Sequence, residues 1–92
     1  MKIPKKLKIG GHIFKIVLEK ESKAKTSRGH NCGHSDRTTG IISINADLIQ
    51  SEQELTLIHE IFHLINGELN ETLLDSLSEQ VYQVFKDNQL LN

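Results

Sequence analysis

The chain has a single cysteine, Cys32, which excludes an intramolecular disulfide and suits a reducing compartment. Long hydrophobic runs are also missing. Nothing behind Met1-Lys2-Ile3-Pro4-Lys5-Lys6 has the apolar length of a signal peptide, and no stretch is long enough to span a bilayer. The expectation is a soluble, cytoplasmic protein. Charge of one sign is not in excess either, with 11 Lys and Arg against 12 Asp and Glu. No field therefore favours nucleic acid or a membrane surface as the main partner, and Lys2, Lys5, Lys6 and Lys8 read as a solvated strand edge. No Pro-, Gly- and Ser-rich stretch is long enough to be a linker, so the 92 residues are expected to form one domain, 1–92. A domain this small buries only about 60–65% of its unfolded surface. With 37% apolar residues, its core should be thin, and a bound metal can matter for stability.

The chain does carry clear local signals. Leu7 to Leu18 is rich in β-branched residues and is broken by Gly10-Gly11, which predicts a tight hairpin. Residues 19–28 are almost wholly polar and predict a loop that could cover a site. Asp36-Arg37-Thr38-Thr39-Gly40 is turn chemistry ahead of the strand Ile41-Ile42-Ser43-Ile44, so a second hairpin is expected, with residues 30–35 as its weaker strand. After Asn45 the period changes. Ser51 with Glu52 and Glu54 signals a helix start, and Leu57, Ile58, Ile61, Leu64 and Ile65 recur at helical spacing up to Asn66-Gly67. Asn70 can cap a second helix running to about Lys86, with Leu73, Leu74, Leu77, Val81, Val84 and Phe85 as its apolar stripe. Strands first and helices second predict an α+β fold, a small antiparallel sheet of two hairpins packed on a C-terminal two-helix hairpin.

Within the first helix lies His59-Glu60-Ile61-Phe62-His63. Residues four apart on a helix share a face about 5–6 Å apart, so both imidazoles can reach one Zn²⁺ at about 2.0–2.1 Å. At about 100° per residue the apolar positions fill one arc and the two histidines lie outside it. Glu60 projects beside them, where a carboxylate can take a proton from a water at the metal. A catalytic zinc takes three protein ligands and leaves a position open. Glu71, Asp75 and Glu79 share one face of the second helix, and a short turn brings that face toward the histidines; spacing leaves all three open as the third ligand.

His59-Glu60-Ile61-Phe62-His63 followed by Glu71-Thr72-Leu73-Leu74-Asp75 resembles the HExxH and ExxxD/E pair of gluzincins, the thermolysin-like metallopeptidases. With its small size the chain looks like the minigluzincins and the phage-encoded HExxH proteins related to ImmA/IrrE peptidases, a likeness that extends to Tyr82-Gln83-Val84-Phe85-Lys86-Asp87-Asn88. The resemblance implies that Glu71 is the third ligand, that Asp75 orients a ligand histidine, and that Glu60 is the general base. The interval between His63 and Glu71 is shorter than in thermolysin-like enzymes, which keeps Asp75 and Glu79 in play.

Three further residues stand close together in His30-Asn31-Cys32-Gly33-His34. H-x-C-x-H is not a recurrent zinc spacing, so the segment is read instead as an edge strand beside the site, able to pair with an extended peptide. Tyr82 shares the side of Glu71 and Asp75. Its phenol either donates to an oxyanion or is half-buried packing. The leading expectation is a zinc-dependent peptidase acting on a peptide or protein substrate. The alternatives are a non-catalytic zinc protein and a peptidase self-inhibited by the 19–28 loop or a terminus.

Overall fold

A computed structural model describes residues 2–20 and 32–90. The elements are β1 (Lys6–Ile9), β2 (His12–Glu19), β3 (Gly33–Asp36), β4 (Ile41–Asn45), α1 (Gln50–Ile65) and α2 (Glu71–Asp87). Most of the 19–28 loop, and His30 with it, lies outside the described residues.

Both expected hairpins form. Gly10 and Gly11, at φ +60° and +86°, close β1 onto β2, a left-handed backbone that side-chain-bearing residues disfavour. Asp36 closes the second, its carboxylate accepting from the Thr38 and Thr39 amides at 2.8 and 3.3 Å. The sheet is nevertheless mixed and not antiparallel throughout. Its order is β1-β2-β4-β3, and the hairpins join through a parallel pair in which Lys15–Glu19 runs beside Ile41–Asn45. Turn residues fix each hairpin locally, but nothing local fixes how two hairpins meet. The sequence interval between β2 and β3 is long enough for the crossover that parallel strands require.

Central placement explains why β4 is buried almost along its whole length. Phe14, Ile42 and Ile44 of the sheet pack with Leu57 and Leu64 of α1, flanked by Ile3, Leu7, Ile9, Ile16 and Ile61. Register places Gly33 opposite Ile44 and Ser35 opposite Ile42, so these two β3 residues also face α1. A Cβ on Gly33 would lie 2.4 Å from the Ser43 carbonyl oxygen and 2.8 Å from Thr56 Cγ2. The bare glycine is what lets the edge strand sit directly on α1. Arg37, in the turn after β3, donates to the Leu64 carbonyl and ties that turn to the end of α1.

The helices differ from expectation in two details. α1 begins at Gln50, one residue before Ser51, with Ile49 at the cap position and no side-chain cap; the Gln53 side-chain amide donates to the Leu48 carbonyl at 2.9 Å, tying the preceding turn to the helix. α2 starts as expected, Asn70 accepting from the Leu73 amide at 2.8 Å. Its apolar stripe, however, does not face α1. Leu74 is buried, but Leu73, Leu77, Val84 and Phe85 are exposed. The face turned to α1 carries Glu71, Leu74, Asp75, Ser78 and Tyr82. Polar pairing with His59, His63 and Glu54 sets the rotation of α2. Among the described residues no helix is long and apolar enough to cross a membrane.

Candidate metal centre

Two turns of α1 and the first turns of α2 build the site. His59 and His63, one helical turn apart, have ring centroids 4.9 Å apart at an interplanar angle of 68°. The antiparallel α2 brings Glu71 to both, with His63 Nε2 2.8 Å from its Oε1 and His59 Nε2 3.4 Å from its Oε2. On the other side of the His59 ring, Asp75 Oδ1 lies 3.1 Å from Nδ1. A proton on Nδ1, donated to Asp75, would leave Nε2 free to act as a ligand on the Glu71 side.

These donors fit a divalent metal. Ligand atoms of His59, Glu60 and His63 lie within 4.8 Å of one another, and so do those of His59, Glu71 and Asp75. Glu71 reaches both imidazoles at Nε2, through a different carboxylate oxygen for each ring, and two imidazoles with one carboxylate are the nitrogen and oxygen donors that open zinc sites use. Glu79 borders the same cleft but belongs to neither donor group. Among the three acids of α2, Glu71 is the one in reach of both histidines.

Glu60 is 5% exposed, on the side of α1 that meets β3. Burial pushes its carboxyl above the usual range and nearby Glu71 adds to this, while the Ser35 hydroxyl, His59 and His63 pull the other way. A carboxylate raised in this manner holds a proton more readily than a solvated one, as a group that accepts and returns protons must. Ser35 is the residue that sequence reasoning missed. Its signal is the two-residue alternation of β3, readable only once the strand is known to dock on α1.

The other sequence candidates are placed elsewhere. Tyr82 donates to Glu54 Oε1 at 2.7 Å and accepts from Lys86 Nζ at 3.0 Å, so its hydroxyl serves a separate cluster at the far end of the helix pair. Glu54 is buried there and also accepts from the Gln50 amide at 3.0 Å. Burial pushes the Glu54 carboxyl up, but the hydrogen bonds from Tyr82 and Gln50 outweigh it and hold the group below its ordinary value. Cys32 is half-buried along the cleft, its carbonyl accepting from the Asn45 amide at 2.7 Å, and His34 is exposed. Among the described residues neither joins a metal donor group.

Around the centre runs a cleft of about 860 Å³, bounded by edge strand β3, α1 and α2. Among the described residues no strand pairs with the outer edge of β3, and such an edge offers its backbone groups to an extended chain.

A family model for the IrrE N-terminal-like domain, Peptidase_M78, matches residues 12–89. No curated protein and no solved structure gives a significant match.

Proposed function

The chain belongs to the IrrE N-terminal-like peptidase family, and from this premise we propose that it is a zinc-dependent peptidase with His59, His63 and Glu71 as metal ligands. One observation supports this above all. A single carboxylate, Glu71, meets both imidazoles at Nε2 while Asp75 holds His59 from behind, and the buried Glu60 stands beside them with its carboxyl raised.

Bound there, a zinc ion would supply Lewis acidity, polarising a carbonyl and acidifying a water. The protein's own groups do the remainder. An extended peptide pairs with the outer edge of β3, which orders its scissile carbonyl beside the histidines. Glu60 takes the proton of the attacking water and returns it to the departing amine, and the Ser35 hydroxyl holds that carboxylate in place. Asp75 keeps His59 in the tautomer that ligation needs.

The test is cleavage of a mixed peptide library by the zinc-loaded chain and by Glu60→Gln. The amide keeps the shape of the side chain and has no basic oxygen, so hydrolysis should fall about 10²–10⁴-fold with zinc content unchanged. Equal cleavage by both proteins removes Glu60 from the mechanism. No cleavage by the wild type leaves a zinc-binding protein without this activity.

A further inference from the structure

The cleft does not end at the histidines. Along α1, Glu52, Leu55 and Thr56 precede His59 on the cleft side, and the antiparallel α2 continues past Asp75 to Ser78 and Glu79 before Tyr82 reaches Glu54. At 1.5 Å rise per residue, Glu52 lies about 10 Å along the axis from His59, a distance an extended peptide covers in about three residues.

Three properties distinguish this lobe. Ser78 borders the cleft and is 1% exposed, yet its hydroxyl has no hydrogen-bond partner among the described residues. A buried hydroxyl left unmatched is uncommon and costly, which points to a ligand that completes it. Glu52 and Glu79 stand at the rim, exposed, and neither makes an ion pair among the described residues. The one Lys or Arg among the cleft-lining residues, Arg37, is at the opposite end, bound to the Leu64 carbonyl. Leu55 adds an apolar wall. An unmatched acceptor at the floor, free carboxylates at the rim and an apolar side fit a group with an aliphatic stem and a cationic head.

The geometry points to this lobe as a specificity pocket for a lysine or arginine side chain of the peptide substrate, with Ser78 Oγ, Glu52 and Glu79 receiving the cationic head. The inference rests on the peptidase reading for its substrate class, and its test separates the two. A fixed peptide carries Lys, Arg, norleucine or Glu at successive positions within four residues of the cleaved bond. Cleavage is measured as kcat/KM with the zinc-loaded wild type, and binding by fluorescence anisotropy with full-length Glu60→Gln, each with and without Glu52→Gln.

At one position Lys and Arg should exceed norleucine by about tenfold in both readouts, with Glu the poorest. The ratio should shrink about threefold or more in Glu52→Gln, and also at high salt. Ser78→Ala should lower the same ratio while leaving the melting temperature unchanged or raising it, since it deletes an unsatisfied buried hydroxyl. Binding that prefers Lys without any cleavage upholds the pocket and overturns the peptidase reading. Cleavage indifferent to Lys, or a preference that Glu52→Gln leaves intact, overturns the pocket and spares the peptidase. Absence of both binding and cleavage overturns both.

Discussion

Replacing Asp75 by Asn keeps the size of the side chain and removes the charge that orients His59. The contact is 3.1 Å from Nδ1, but the Asp75 side chain is 52% exposed, so water screens part of the interaction. Supporting groups of this kind typically cost 10–100-fold in metal affinity when removed, and the exposure places Asp75→Asn near the lower figure, about tenfold or ~1.4 kcal/mol. Glu71→Gln should cost more, about 100-fold or above, because its carboxylate meets both imidazoles at 2.8 and 3.4 Å and an amide is a poor ligand for zinc. Glu79→Gln should cost almost nothing, since Glu79 joins neither donor group. Competition against a chromophoric chelator ranks the three proteins at one pH. If Asp75→Asn or Glu79→Gln loses more zinc affinity than Glu71→Gln, the third ligand has been assigned to the wrong acid.

Two other outcomes test the packing. Leu74→Ala should cost about 2–5 kcal/mol in thermal or denaturant unfolding, whereas Leu73→Ser, one residue away and 50% exposed, should change stability by less than about 0.5 kcal/mol; the reverse order would mean that α2 is rotated in solution. Glu54 provides a pH signature. Its carboxyl is held below the ordinary value in the folded chain, so its contribution is present above the unfolded pKa of about 4.3 and is lost as pH falls through the lower folded value. The stability gap between wild type and Glu54→Gln should therefore be full near neutral pH and shrink below about pH 4. A gap that grows with acid would reverse the sign assigned to Glu54.

What could be read from the sequence was what is decided locally. Four-residue spacing puts His59 and His63 on one helical face whatever surrounds them, and Asn70 announces the start of α2 by its own hydrogen bond. The Gly10-Gly11 and Asp36–Gly40 turns fix two hairpins in the same manner. What depends on distant partners was not legible. The parallel pairing of β2 with β4 leaves no trace in either strand. Gly33 and Ser35 acquire their roles only when β3 docks on α1. On α2 the apolar arc misleads, because Leu73, Leu77 and Val84 look like core while the helix is turned by Glu71, Asp75 and Tyr82 toward polar partners on α1. A helix whose buried face holds a ligand set is where hydrophobic pattern and function conflict. The same polar pairing took Tyr82 to Glu54, away from the histidines.

The central claim is that His59, His63 and Glu71 hold one zinc, and X-ray absorption at the zinc edge, run with elemental analysis, addresses it directly. The wild-type chain should carry about one zinc surrounded by nitrogen and oxygen at about 2.0–2.2 Å, with imidazole scattering, and His59→Ala or His63→Ala should abolish it. A sulfur neighbour at about 2.3 Å, which Cys32 would supply, or full zinc retention in both histidine variants, would contradict the account.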